Sequence, residues 1–112
     1  MSDVKLVTAE SWDSDVEKSD KLVLVQFSAA GCMPCNTLRP RLASLAEQRK
    51  DSLIVAEVKI DKSPELAEKF SIRAVPSLKV FKGGQIVAEH AGLLSKNDLD
   101  SFVDSVKDDS HA

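Results

Sequence analysis

Cys32-Met33-Pro34-Cys35 is the segment whose residue types and spacing could do chemistry. Two thiols three positions apart share one face of a helix, one turn from each other. They can close a short loop through a disulfide and open it again. The segment follows an apolar strand-like run and opens a long helical pattern. In open α/β sheets, reaction sites lie at the carboxyl ends of strands. A helix start offers unpaired N–H groups and the positive end of the dipole, which favour thiolate over thiol at Cys32 and lower its pKa below about 8.5. Pro34 fits there, because the first helical turn needs no N–H.

The chemistry that needs two cysteines is thiol–disulfide exchange. The outer thiolate attacks a disulfide, and the inner thiol then attacks the outer sulfur and releases the reduced target. A pKa near 7 makes about half the groups thiolate at pH 7, against about 3% at pKa 8.5. Part of that gain is lost, because thiolates of lower pKa are weaker nucleophiles. Three other readings stand beside it. A zinc site needs four ligands, and only Cys32, Cys35, His90 and His111 could serve. An inert structural bridge is the second, although bridges across such short loops are the labile ones. A chance C-x-x-C at a surface turn is the third. The surrounding β-α-β pattern favours the redox reading.

The elements that must position this pair are legible. Val4–Val7 reads as a first strand and Ala9–Lys18 as a helix with Thr8 as N-cap. Leu22–Ser28, rich in Val, Leu and Phe, reads as a buried central strand. Pro34–Lys50 is the long helix. Leu38, Leu42, Leu45 and Ala46 make its apolar face, and Pro40 inside it predicts a kink rather than a stop. Leu53–Ile60 is a second buried strand. Ser63-Pro64-Glu65 is a helix start, with Ser63 as N-cap, and that helix ends near Phe70. Ser77–Phe81 and Ile86–Ala91 flank Lys82-Gly83-Gly84-Gln85, a β-hairpin pattern. Ser95 caps a last helix whose buried face is Leu99, Phe102, Val103 and Val106. Its Asp98, Asp100, Asp104, Asp108 and Asp109 read as a solvated face, and the tail from Asp108 as frayed.

The order βαβαβαββα argues an α/β fold with a mixed five-stranded sheet and helices on both faces. Helix crossovers after the first three strands predict parallel neighbours there, with an antiparallel final hairpin. Phe27, Phe70, Phe81 and Phe102 are expected in the core.

The 112 residues make one domain, 1–112, with its core over about 4–107. Fifteen Lys and Arg against 18 Asp and Glu leave a net charge of −3. No basic cluster is present to engage nucleic acid. The longest strongly apolar runs, Leu22–Val25 and Leu53–Ala56, fall far short of the roughly 20 residues of a membrane span. The start lacks the build of a signal peptide, and two cysteines are too few for a disulfide-stapled secreted scaffold. A cytoplasmic, monomeric protein is the expectation.

Taken with Val25-Gln26-Phe27-Ser28-Ala29, Lys59-Ile60-Asp61, Ile72-Arg73-Ala74-Val75-Pro76-Ser77, Phe81-Lys82-Gly83-Gly84 and Gly92, the chain resembles the thioredoxin family over roughly Val4 to Lys107. The resemblance implies that family's fold, a five-stranded sheet flanked by four helices. It also implies a protein-disulfide reductase with Cys32 as nucleophile and Cys35 as resolving thiol. Electrons would come from an NADPH-linked thioredoxin reductase, disulfide-containing proteins would be the substrates, and no cofactor would be bound. Pro76 matches the family's cis-proline. Val75 before it would pair its backbone with substrate as a short added strand. Gly92 matches a glycine at which substrate backbone approaches. Met33, Pro34, Val75, Pro76, Ala91 and Gly92 would shape the substrate groove.

The chain departs from the family's usual Trp-Cys-Gly-Pro-Cys-Lys. It reads Gly31-Cys32-Met33-Pro34-Cys35-Asn36, and Ser28 stands where a second tryptophan is usual. Trp12 is thus the only tryptophan, so oxidation of the dithiol is expected to change fluorescence little. Gln26 stands where a buried aspartate commonly helps deprotonate the inner cysteine, and an amide cannot accept that proton. Glu57, where a lysine is common, is expected either to supply the missing carboxylate from the neighbouring strand or to be a solvated strand-end residue. The altered dipeptide also admits a specialised oxidase, isomerase or single-partner reductant. A non-catalytic binding or chaperone module is the further alternative.

Overall fold

The structure is a computed structural model that describes residues 4–106. His111 and the expected frayed tail from Asp108 lie outside the described residues. The elements run β1 (Lys5–Leu6), a π-helical turn (Asp13–Glu17), β2 (Leu22–Ser28), α1 (Met33–Gln48), β3 (Leu53–Lys59), α2 (Pro64–Lys69), β4 (Ser77–Lys82), β5 (Gln85–Ala91) and α3 (Lys96–Asp104). They build the expected α/β fold, one mixed five-stranded sheet with four helical segments. The strand order is β1-β3-β2-β4-β5.

β2 lies at the centre because both its faces are apolar, and the pleat sends alternate side chains to opposite sides. Leu24 packs with Leu38, Leu42 and Leu45 of α1 and Leu99 and Val103 of α3. Val23, Val25 and Phe27 face the other way, onto Trp12, Val16, Leu66 and Phe81. Phe27 and Phe81 are fully buried. Phe70 is half-buried against the same cluster. Phe102 is half-buried on the α3 side, with its ring 6.1 Å from that of His90.

One topological expectation is corrected. β1, β3 and β2 are parallel, but β4 runs antiparallel to β2, with Ser77 opposite Phe27 and Phe81 opposite Val23. The reason is length. Six residues of α2 span about 9 Å at 1.5 Å each, whereas a seven-residue strand covers about 23 Å. α2 therefore cannot carry the chain back along the sheet. β4 starts at the end where β2 and β3 finish, and that places Val75 and Pro76 beside the loop that carries the cysteines.

Local details differ from the sequence pattern where side chains found other partners. Residues 8–11 form a tight turn rather than the start of a helix, since the Thr8 and Ser11 hydroxyls accept from each other's backbone N–H at 3.4 and 3.1 Å. Such bonds compete with helix. The helical part is confined to Asp13–Glu17, widened so that the Lys18 N–H donates to the Asp13 carbonyl at 3.0 Å. Ser63 precedes α2 but does not cap it. Its buried hydroxyl accepts from the Ala9 N–H at 3.2 Å. Ser95 does cap α3, accepting from the Asp98 N–H at 3.0 Å. The acidic face of α3 is only partly solvated, because Arg49 reaches Asp104 at 2.6 Å and Lys96 reaches Asp100 at 3.0 Å. α1 runs through Pro40 without stopping. Gly83 and Gly84 both take positive φ, 57° and 82°, as a two-residue hairpin turn requires. Among the described residues no helix is long and apolar enough to cross a membrane.

Trp12 is buried among Phe27, Phe70 and Phe81, on the face of the sheet opposite α1. Its environment does not include the first turn of α1. Reduction of the protein with a dithiol reagent is expected to leave the tryptophan emission maximum and intensity nearly unchanged. A large quench or recovery on reduction would contradict this placement.

Candidate active site

β2 ends at Ser28, and the chain turns through Ala29, Ala30 and Gly31 into α1. Gly31 sits at φ 76°, a conformation that side-chain-bearing residues rarely adopt. Cys32 is the N-cap of α1, and its sulfur accepts from the Cys35 N–H at 3.1 Å. The two cysteines are joined by a disulfide, with Cα atoms 5.2 Å apart. The pair is unequal. Cys35 is wholly buried, Cys32 is half-buried, and Met33 beside it is 71% exposed. Pro34 is exposed in the first turn, where its missing N–H leaves no bond unmade.

Val75 and Pro76 approach from the start of β4. The bond between them is cis, and Pro76 is buried. The Pro76 carbonyl accepts from the Gly92 N–H at 2.9 Å, and Ala91 pairs with Ser77. Gly92 takes φ 103°. Val75, Pro76, Ala91 and Gly92 therefore form one linked rim, at the end of the sheet where β2 delivers Cys32. Leu93 adds an exposed apolar side chain next to it.

A polar layer lies on the α1 side of the sheet. Gln26 of β2 and Glu57 of β3 are register partners. Gln26 is wholly buried, and neither end of its amide has a hydrogen-bond partner. Glu57 is not a solvated strand-end residue, being only 5% exposed. Arg39 of α1 grips it at both oxygens, Nε to Oε1 at 2.9 Å and Nη2 to Oε2 at 2.6 Å. The Ser28 hydroxyl donates to Oε2 at 2.6 Å. Burial pushes the Glu57 carboxyl up. The hydrogen bonds from Arg39 and Ser28, with the charges of Arg39 and Lys59, outweigh that and hold it below the usual carboxylate range. Arg39 also donates from Nη1 to Asn36 Oδ1 at 2.8 Å.

Arg39 is the site residue that sequence reasoning missed. Its signal was available, since it follows Cys35 by four positions and so shares a helical face with it. A cleft of about 610 Å³ opens beside the cysteine loop, lined among others by Ser28, Gly31, Arg39, Glu57, Lys59 and Lys62. Among the described residues, no three His, Cys, Asp or Glu side chains gather as a metal site would require. His90 sits on β5 against Phe102.

Comparison with known proteins agrees with this geometry. The family model described as Thioredoxin matches residues 3–105. The chain is 42% identical over 106 residues to the thioredoxin of Acidithiobacillus ferridurans, covering 94% of this chain and 98% of that protein. It is 43% identical over 86 residues to the thioredoxin of Buchnera aphidicola subsp. Baizongia pistaciae, covering 77% and 79%. Against the thioredoxin of Rhodospirillum rubrum the figure is 36% over 102 residues, covering 91% and 98%. An open sheet that ends on a bonded Cys-x-x-Cys pair, together with relatives matched across nearly the whole chain, leads to one assignment: the chain belongs to the thioredoxin family of thiol–disulfide oxidoreductases.

Proposed function

We propose that the chain reduces disulfides of protein substrates, with Cys32 attacking and Cys35 resolving. The observation that carries this reading is the asymmetry of the bonded pair, one sulfur half-buried at a helix start and the other wholly buried behind it. In the reduced protein the Cys32 thiolate attacks one sulfur of a target disulfide. The target S–S bond breaks, its other sulfur leaves as a thiolate and takes a proton, and Cys32 is joined to the target. Cys35 then gives up its proton and attacks the Cys32 sulfur. The second target sulfur leaves as a thiolate, and the Cys32–Cys35 bond forms. Two electrons have passed from the chain to the target.

The rim supports the choice of substrate. An extended peptide can pair with the backbone at Val75 as an added strand, while Gly92 lets it approach closely. Met33, Pro34, Pro76 and Ala91 supply apolar contact around the attacking sulfur, and Met33 adapts its shape to different targets. Regeneration needs a two-electron donor, and an NADPH-linked thioredoxin reductase fits that need. A cytoplasm that keeps resting thiols reduced suits the cycle.

The test compares the native chain with a Cys32→Ser, Cys35→Ser double variant in reduction of a protein disulfide by a dithiol donor. The native chain is expected to accelerate the reaction, and the double variant to give only the rate seen without protein. Equal acceleration by both would overturn the proposal and favour a binding module.

A further inference from the structure

Gln26, Glu57 and Arg39 converge under the first turns of α1. Leu24 packs with Leu38 and Leu42 of that helix. Two residues further along β2, about 6.6 Å, lies Gln26 on the same face. Because α1 runs back over the strand that precedes it, the matching step on the helix leads toward its start. One turn before Leu38 is Cys35, buried like Gln26. Arg39 is one turn beyond Cys35, and Glu57 is across the sheet from Gln26.

We propose that Arg39 is a positioning residue for the dithiol, which clamps the Glu57 carboxylate out of proton exchange with Cys35 and leaves the neutral Gln26 amide to meet the resolving sulfur. The proposal rests on the dithiol function above and deepens it. Both Glu57 oxygens already accept charge-assisted or hydroxyl hydrogen bonds, at 2.6 to 2.9 Å. Protonating Glu57 would break that fork. The remaining arm of Arg39 is tied to Asn36, so the guanidinium has a fixed place. The other groups around the carboxylate do not favour protonation. Lys59 on the same strand adds positive charge. Asp61 and Lys62 line the same cleft with opposite signs. β1 brings Leu6 opposite Glu57, and β4 brings Leu78 opposite Gln26, neither of them charged. Gln26, with both amide ends unpartnered in the disulfide form, has an N–H to donate once the disulfide opens and Cys35 carries a thiolate.

The test is a pH titration of the reduced protein, followed by thiolate absorbance near 240 nm, together with the rate of the Cys35 step in single-turnover release of a mixed disulfide. Glu57→Gln is expected to keep the number of inflections in the titration curve, displaced toward lower pH by the Arg39 charge it leaves uncompensated, and to slow the Cys35 step less than about threefold. General-base catalysis contributes about 10²–10⁴-fold. A loss of that size in Glu57→Gln, or an inflection lost from its curve, would overturn the proposal. Arg39→Met leaves the buried carboxylate without its main partner, so burial raises its pKa and a second inflection is expected in the thiolate curve. Adding Glu57→Gln to Arg39→Met is expected to remove that inflection. A merely structural Arg39 would lower stability and leave the curve unchanged, which overturns the idea. Glu57→Gln alone decides the matter if Arg39→Met does not fold. Absence of turnover with an intact titration would count against the dithiol function and not against this clamp.

Discussion

Replacement of Cys35 by serine is expected to turn the chain from a catalyst of many turnovers into a trap of one. Cys32 keeps its place as N-cap of α1, so the first attack on a target disulfide still occurs. The resolving sulfur is gone, and a serine hydroxyl at neutral pH does not displace a thiolate from a disulfide. The product is a covalent chain–target adduct, close to one equivalent per chain, visible by mass and on a non-reducing gel and released by dithiothreitol. Multiple-turnover reduction is expected to fall by at least roughly three orders of magnitude, as when a nucleophile is removed from a catalytic unit. Cys32→Ser loses turnover to the same extent but forms no adduct, because Cys35 is buried and meets no target. An adduct of equal yield in both variants would overturn the order of attack.

The largest expected effect on stability comes from the other face of the sheet. Phe81 is fully buried, with its ring edge-on to Trp12 at 5.0 Å and to Phe70 at 5.3 Å. Truncation of a buried phenylalanine to alanine costs about 3–5 kcal/mol. A domain of this size is stable by only about 5–15 kcal/mol. Phe81→Ala is therefore expected to lower Tm by roughly 12–20 °C, at about 4 °C per kcal/mol, measured by far-UV circular dichroism. A shift under about 5 °C would mean that the ring cluster collapses to fill the space, contrary to the close packing of cores.

Much of this was legible because short-range chemistry specified it. Leu22–Ser28 reads as a central strand, Gly83-Gly84 reads as a hairpin turn, and Ser95 caps the helix that its spacing announced. The cysteine pair at the mouth of β2 is legible for the same reason, since spacing, helix start and strand end all lie within a few residues. The direction of β4 was not legible from handedness rules. It depends on how far a six-residue α2 can reach, a quantity set by where the helix stops. Ser63 misled because its hydroxyl serves Ala9, a partner distant in sequence. The same holds at the site. Gln26 and Glu57 could be suspected one at a time, but their relation hinges on Arg39, and no local pattern states which carboxylate an arginine will grip.

The return of β4 beside β2 has a consequence for the chain during synthesis. The two thiols leave the ribosome before Val75, Pro76 and Gly92 do, and the rim that would receive a target is stitched by a Pro76–Gly92 bond that needs the chain as far as Gly92. A nascent chain thus carries reactive sulfur with nowhere to seat a partner. On the proposed function, selectivity would arrive last, as a property of the finished sheet and not of the cysteine segment.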